Sequence, residues 1–525
     1  MKKTLLASAL LASLSVYAAI PSDISERADL VQKRNEATTA NIGKAYQNYL
    51  QASPLLDKID VQIRDYTRTD SGATEKTVVN IDWNANYFTG EEPPVKEIVL
   101  NSTIDYSDAV AKEGKLAVIK SEIDADALAQ SFQIAKDSKD FATLNEILKH
   151  VELVSVLHDD DKYEQTFRIK PVDAKPEEGV QIAYEGFEYN VHTTDADLEF
   201  GYGKSTLKSG KFEASNTKAD NDGPKKITVL PFAGEGEFAK NGDMTFNVEP
   251  LEAHIDDTVI KAKNFEGKGK DMVYDPVLAG FLGEVEYKLN DIAVASADMP
   301  EAVYVKTITF KGENEKSGEL YHSKMGFEVI PVSEAFNALT GGMSEALGIE
   351  SLVGKGELKN LSGTLFTELN ELAGEFQSLA GSADDPAGQE AAEQALAKRV
   401  DTVLAEAGKH NAIGKFNLTL NTKNGNAELD AWLEILKGSQ LTYAEIKPAL
   451  EAGSPDTFIA LLNKNVRFEV NFTLPKALAD ATGMTPMVES MAAGFLQLDG
   501  SNYKLVLKNS DKGITLNGEA FPPAM

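Results

Sequence analysis

Six histidines, His150, His158, His192, His254, His322 and His410, are the first residues to weigh, because imidazole ligates metals and moves protons near neutral pH. None stands in an H-E-x-x-H pair, the spacing that puts two imidazoles and a general base on one helix face. The chain has no cysteine to supply thiolate ligands either. The run His158-Asp159-Asp160-Asp161 is the best cation candidate, since hard divalent ions want clustered carboxylates. Adjacent residues on an extended loop point apart, however, which reads as a solvated acidic turn. Asp220-Asn221-Asp222-Gly223 imitates part of a calcium loop. Lys218 stands at its first ligand position and Val229 where the terminal Glu belongs, so it too reads as a turn.

Nucleophilic and phosphate chemistry fare no better. Gly203-Lys204-Ser205 has the ending of a phosphate-binding loop, but Leu198 occupies the place of its first glycine and the surrounding alternation belongs to a strand. No G-x-S-x-G elbow occurs. The Ser-x-x-Lys spacings at Ser205 to Lys208, Ser215 to Lys218 and Ser501 to Lys504 lack the companion motifs of penicillin-recognising enzymes. Acidic pairs are frequent enough by composition that they carry no argument for glycoside hydrolysis. The sequence therefore assigns no catalytic, cofactor-binding or metal residue, and the expectation is a protein without a cofactor.

The only residues with an assignable processing role lie at the start. Lys2 and Lys3, the apolar run from Leu5 to Leu14 and the small-residue pattern Val16-x-Ala18 form a secretory signal, with cleavage expected between Ala18 and Ala19. An uncleaved inner-membrane anchor is the alternative reading, against which the apolar stretch ends at Pro21 and falls short of the ~20 residues that cross a bilayer. A periplasmic chain without cysteine is held by packing alone. With 52 basic and 82 acidic residues the net charge is -30, a surface that repels phosphate backbones and sets the protein against nucleic acid. An envelope protein, a lipid or a second copy of the chain remain as partners.

The elements that any site would stand on follow from periodicity. Asp23 and Glu26 have capping-box spacing ahead of a helical run that Pro54 stops, and from Ile59 the period changes to two. Ile59, Val61 and Ile63 turn through Asp70-Ser71-Gly72 into Thr77, Val79, Ile81 and Trp83, followed by a strand at 97–104 and one or two helices over 125–151. Alternation then returns at Phe187 to Val191, Leu198 to Tyr202, Phe212 and Ala214, 227–230, 238–248, 254–263, 284–289, 303–311 and 319–332. Helices are expected at 333–347, 360–379 and from a cap at Asp385 through Pro386 to about Gly408. Phe416, Leu418 and Leu420 run into Asn424-Gly425 and out along Leu429, Ala431, Leu433 and Ile435, a hairpin. Helical residues near 441–462 precede the strand Val466, Phe468, Val470, Phe472 and Leu474. Tyr503, Leu505 and Leu507 then face Ile514 and Leu516 in a final hairpin. No fixed-period repeat stands out.

The signal-like start, the strand Ile63-Arg64-Asp65-Tyr66-Thr67-Arg68, the hairpin at Asn424-Gly425, the strand entering Leu474-Pro475-Lys476 and the ending Gly500-x-x-Tyr503 with Leu516-Asn517-Gly518 together resemble the YdgA-like family of bacterial envelope proteins over most of the chain. The resemblance implies a conserved architecture at the periplasmic side of the inner membrane and no assigned reaction.

The expected fold is α+β: long twisted antiparallel β-sheet, in one or more sheets, with helices packed on one face, plus an N-terminal helix. Expected segments are a signal peptide at 1–18, the N-terminal helix at 19–56, a strand-rich domain at 57–332, a helical segment at 333–410 and a C-terminal α+β hairpin region at 411–525. Strands apolar on one side must bury that side against helices, another sheet or a ligand. The function expected is non-catalytic, through protein contacts or an apolar groove that holds lipid. The alternative is a hydrolase of an envelope polymer; an outer-membrane barrel fits less well, because helices interrupt the strands.

Overall fold

The computed structural model describes residues 20–50, 56–83, 96–158, 162–175, 179–193, 203–217, 224–275, 277–278, 280–297, 299, 302–331, 347–369, 371–372, 386–451, 455–492, 495–510 and 513–521. Antiparallel sheet dominates, with fewer helices and a helix near the N-terminus. The chain divides into two units, Met1–Lys240 and Asn241–Met525.

In the N-terminal unit, helix α1 spans Ile24–Leu50. The Asp23 carboxylate caps it, accepting from the backbone N–H groups of Ser25 at 2.8 Å and Glu26 at 3.0 Å. Arg27, Ala28, Val31 and Asn35 form its buried stripe. Ala28 and Val31 pack with Ala73, Ile104, Leu116, Ile119 and Leu157. Arg27 is buried among them because its planar guanidinium finds partners on several sides: it donates to the carbonyls of Tyr106 at 2.8 Å and Pro21 at 3.0 Å and pairs with Asp108 at 3.0 Å.

The strands of this unit are β1 Leu56–Arg68, β2 Gly72–Trp83, β3 Glu97–Asp105, β4 Lys115–Ile123, β5 Val151–His158, β6 Tyr163–Ile169, β7 Val172–Ala174, β8 Val180–Tyr184, β9 Phe187–Thr193, β10 Gly203–Ser209, β11 Phe212–Asn216, β12 Lys226–Val229 and β13 Phe232–Phe238. They pair antiparallel in the order β1–β2–β3–β4–β5–β6–β9–β10–β13. The order β7–β8–β11–β12 repeats the last four places of that sheet on the far side of a break. Pro171, Gly186, Gly210 and Pro231 mark the break, one in each strand. Proline has no N–H to give the ladder, and Gly186 stands at φ +111° with a Cβ position 2.8 Å from the Ile169 carbonyl oxygen, so neither site tolerates regular strand.

The C-terminal unit contains β14 Met244–Glu249, β15 Leu251–Ile255, β16 Thr258–Ala262, β17 Asn264–Asp275, β18 Gly280–Ala295, β19 Val303–Ser317, β20 Leu320–Pro331, β21 Ile349–Ser362, β22 Ile413–Thr422, β23 Ala427–Ile435, β24 Val466–Pro475, β25 Gln497–Asp499, β26 Asn502–Ser510, β27 Gly513–Leu516 and β28 Glu519–Ala520. Its backbone is one antiparallel succession, β14–β17–β18–β19–β20–β21–β22–β23–β24–β26–β27–β28. Tyr321, Leu361, Leu365, Ala407 and Ala412 form one buried cluster of this unit, and Ala479, Val488 and Tyr503 another.

Three expectations need correction. The segment expected to be helical, 333–410, contains strand β21, and the helix thought to start at 360 begins at 363, after the strand ends. Glycine occupies two of the strand's inward positions, which hid its period of two. The single strand read over 254–263 is two, β15 and β16, reversed at Asp256, whose φ is +49°. Strand β17 was not anticipated at all, for the same reason as β21. The expected strand at Leu198 to Tyr202, the expected helix over 333–346 of its 333–347 and the cleavage residues Ala18 and Ala19 lie outside the described residues.

Candidate functional site

In an antiparallel ladder directly opposed residues share a face, so the register of the C-terminal unit sorts its side chains into rows. One row runs Phe265, Leu289, Ile308, Val329, Leu352, Leu420. The next runs Phe246, Gly267, Tyr287, Phe310, Phe327, Gly354, Leu418, Leu429, Phe472, Leu505. A third runs Met244, Gly269, Val285, Gly312, Met325, Gly356, Phe416, Ala431, Val470, Leu507. Across these three rows no side chain is charged, and the Tyr287 hydroxyl is the one polar group.

The opposite face is the reverse. Glu286 pairs with Lys288 at 2.6 Å and Lys311 at 2.9 Å, Glu313 with Lys324 at 2.8 Å, Glu357 with Lys415 at 3.2 Å and Glu469 with Lys508 at 2.9 Å. Its hydrogen bonds to Lys288 and Lys311 hold the Glu286 carboxyl below its ordinary value. Cross-strand ion pairs of this exposure add little stability, but they fix which face meets water.

The apolar face is nevertheless uncovered in its middle. Met325 is 49% exposed, Phe310 46%, Leu433 45% and Phe416 42%, and Ile308, Phe265 and Phe327 belong to the same set. A contiguous apolar surface of this kind marks an interaction site rather than ordinary surface. A groove of about 730 Å³ follows the third row from Gly269 to Phe416, and its lining takes in the charged residues on either side of that row, Lys268, Glu286, Lys311, Lys324, Glu357 and Lys415 among them.

Aromatic rings gather on the first and second rows. Phe246 and Phe265 lie 5.0 Å apart between centroids, Phe246 and Tyr287 5.9 Å, and Tyr287 and Phe310 are stacked at 6.5 Å with their planes 18° apart. The glycines make the arrangement possible. A Cβ at Gly267 would collide with the ring of Phe246, and one at Gly354 with the ring of Phe327, so each ring lies flat over the neighbouring backbone. Both pairs belong to one module used twice: Met244-x-Phe246 opposes Gly267-Lys268-Gly269, and Met325-x-Phe327 opposes Gly354-Lys355-Gly356. This recurrence was missed in the sequence, where Gly-Lys-Gly reads as turn composition. A polar residue between two glycines, inside an alternating stretch, is the signal that would have found it.

Of the residues singled out for chemistry, the structure brings His158 and His192 together, with Nε2 and Nδ1 each 3.4 Å from Glu164 Oε1, and scatters the others: His254 contacts Glu252 at 2.7 Å, and His410 is 3.9 Å from Glu406. Asn360 N donates to His322 Nδ1 at 3.5 Å, and the backbone N–H of His150 bonds the Ile147 carbonyl at 3.0 Å. Lys204 and Ser205 lie in β10, paired with His192 and Val191. Ser501 lies in the turn before β26, which holds Lys504. Asp159 to Asp161 and Asp220 to Gly223 lie outside the described residues, and among the described ones no group of three or more His, Asp or Glu side chains is placed to hold a metal ion. Among the described residues no helix is long and apolar enough to cross a membrane. Compared with protein-family models, with curated proteins and with solved structures, the chain matches none.

Proposed function

We propose that the protein is a non-catalytic cell-envelope protein of the YdgA-like type that holds lipid acyl chains against the apolar face of its C-terminal unit. The observation that carries this reading is the run of three adjacent rows without a charged side chain, open to solvent at Phe310, Met325, Phe327 and Phe416. A protein partner is recognised through a polar rim and a set of hydrogen bonds about an apolar centre. Here the sheet's own ladder engages the interior backbone and the rows supply no side-chain donors beyond Tyr287, so the face suits a ligand that asks only for hydrocarbon contact. Burial gains about 0.8 kcal/mol per methylene, so ten methylenes supply about 8 kcal/mol before ordering costs.

Helices on this one face are part of the reading. Leu358 and Ile435, from the apolar rows' end, pack with Leu365, Val403 and Ala407, while Leu474 and Tyr503 at the other end pack with Ala479 and Val488. They wall the strand ends and leave the middle for a ligand. The test is to express the full chain with its N-terminal segment in a bacterium, release the periplasm by osmotic shock, purify without detergent and extract with organic solvent. Near-stoichiometric lipid by mass spectrometry is expected in the periplasmic fraction. Lipid-free protein after mild purification would overturn the proposal.

A further inference from the structure

We propose that the charged face of the C-terminal unit carries a seat for a small, doubly charged tetrahedral oxyanion, phosphate or a phosphate monoester, over Gly326 between Lys311 and Lys355. The seat is independent of lipid holding, because it lies on the other face of the sheet. The groove along the third row is lined by Glu286, Lys311 and Lys355 on one side of that row and by Lys324, Glu357 and Lys415 on the other. Phe310, Phe327 and Leu433, exposed side chains on the neighbouring rows of the apolar face, do not line it. Residues one place along a strand from the third row point to the opposite face. A groove walled by them, with the third-row backbone between, therefore opens on the charged side. Six lysines and five carboxylates line it, in a chain with 52 basic and 82 acidic residues, so the charge balance of the protein is locally reversed there.

Gly326 is a gap in the charged row, opposed by Lys311 on β19 and by Lys355 on β21. Its φ is not left-handed, and a Cβ there would meet only the Gly354 carbonyl oxygen, at 3.4 Å, an ordinary contact. Glycine weakens a strand, and neither a turn nor a covering ring calls for one at this position. Its missing side chain leaves open space between two lysines whose α-carbons are two strand spacings, about 9.6 Å, apart. Lys355 faces Gly326 on one side and Asn417 on the other, and it makes no ion pair among the described residues. Lys311 is held by Glu286 at 2.9 Å, but Glu286 also holds Lys288 at 2.6 Å and keeps that partner if Lys311 turns to a ligand. Glu313 and Glu357 on the adjoining charged row are engaged by Lys324 at 2.8 Å and by Lys359 at 2.8 Å. To draw Lys311 from a carboxylate, a ligand must carry more than one charge, and to meet ammonium groups from two sides it must offer acceptors in several directions. A phosphate monoester does both, with a charge of about −1.5 to −2 and oxygens around a tetrahedron. The acidic surface beyond ~8 Å is screened at physiological ionic strength.

The experiment titrates the full chain by calorimetry at low ionic strength and pH 7.5 with inorganic phosphate, glycerol 3-phosphate and acetate. One phosphate per chain is expected, with acetate at least tenfold weaker. Gly326→Leu, which fills the gap, is expected to weaken phosphate binding at least tenfold without lowering the melting temperature. Lys355→Gln, at an exposed lysine, is expected to weaken it at least fivefold, and this measurement stands even where the leucine variant does not fold. Glu328→Gln removes a carboxylate two residues along β20 and is expected to tighten binding at least twofold. Lys268→Gln removes the same charge from the same groove three strands away, and its effect is expected to stay within twofold. Tighter binding of glycerol 3-phosphate than of phosphate would sustain the seat and identify an ester, as in a lipid headgroup, as its source; the reverse order would sustain it for the free ion. Acetate binding as tight as phosphate, equal losses from Lys268→Gln and Lys355→Gln, unchanged binding by a folded Gly326→Leu chain, or no phosphate binding at all would overturn the seat. Lipid carried by these variants after detergent-free purification is expected to match wild type, so lipid holding stands or falls separately.

Discussion

The phenyl ring of Phe327 lies over the α-carbon of Gly354 on the next strand, with its Cε1, Cζ and Cδ1 atoms filling the space a β-carbon would take. The ring thus buys its close approach to the backbone through the absence of one methyl group. Gly354→Ala should push the ring out of its place and destabilise the C-terminal unit by about 1–3 kcal/mol, the range for overpacking. Gly356→Ala meets only the flexible Met325, and the ~0.5–1 kcal/mol gained by stiffening a glycine in a strand offsets the contact. Denaturant unfolding of the two variants should separate them clearly, and equal effects would contradict the distinction between a glycine under a rigid ring and one under a flexible thioether.

Exposed apolar residues of the face should be dispensable for folding. Met325→Lys with Leu433→Lys replaces two side chains that are about half exposed, so the change in stability should stay within about 1 kcal/mol. Binding of a hydrophobic dye to the lipid-free protein should fall markedly. A large drop in melting temperature instead would mean that this face is covered in solution.

Asp275 and Lys316 give the unit a pH signature on both flanks. Burial pushes the Asp275 carboxyl up, but the Lys316 ammonium at 2.8 Å, the backbone N–H groups of Leu278 at 3.2 Å and Val277 at 2.9 Å, and the Tyr321 hydroxyl at 3.1 Å outweigh it and hold the group below its ordinary value. A depressed folded value means stability that is present above the unfolded carboxyl's value of about 3.9 and is lost as pH falls through the folded one. The same carboxylate and Tyr321 push Lys316 up to about 12, so its share is complete below the unfolded lysine value and is lost as pH rises through about 12. Asp275→Asn should flatten both limbs in a series of thermal melts.

Glu75 should behave in the opposite sense. It is buried on the sheet of the N-terminal unit, where desolvation raises its value against the hydrogen bonds from Asn35 at 2.6 Å and from Thr77. A raised carboxyl binds its proton more tightly when folded, so stability declines as pH rises from the unfolded value through the folded one. Glu75→Gln keeps an oxygen for Asn35 and removes the buried charge. The variant should be more stable than wild type at pH 7 and indistinguishable below about pH 4, where the unfolded carboxyl of about 4.3 is also protonated. A variant less stable at pH 7 would show that the charge is well solvated.

Arg27 tests the N-terminal helix. Arg27→Met leaves the buried carbonyl of Tyr106 without this donor and should lose about 1–3 kcal/mol, whereas Asp108, largely exposed, returns to water. Limited proteolysis should then release α1 first.

Much of the sheet was readable from alternation alone. Val466, Phe468, Val470 and Phe472 form β24 as expected, and the final hairpin pairs Leu507 with Leu516 and Asn509 with Ile514. The hairpin through Asn424-Gly425 joins β22 and β23, with Gly425 at φ +107°. These strands were legible because most inward positions carry a large apolar side chain, and a two-residue period needs no knowledge of its neighbours. Local spacing also identified the Asp23 cap, since a cap bonds within its own turn.

What tertiary structure decided is which inward positions meet. Gly267, Gly269, Gly312, Gly354 and Gly356 look like interruptions in a list of residues, because glycine carries no hydrophobic signal of its own. Their meaning comes from the strand alongside, where Phe246 and Phe327 need backbone beneath their rings and where Val285 and Met325 reach over Gly312 and Gly356. Register is a long-range property, set by pairings between residues far apart in the chain, and one glycine is a gap or a floor according to the side chain it opposes.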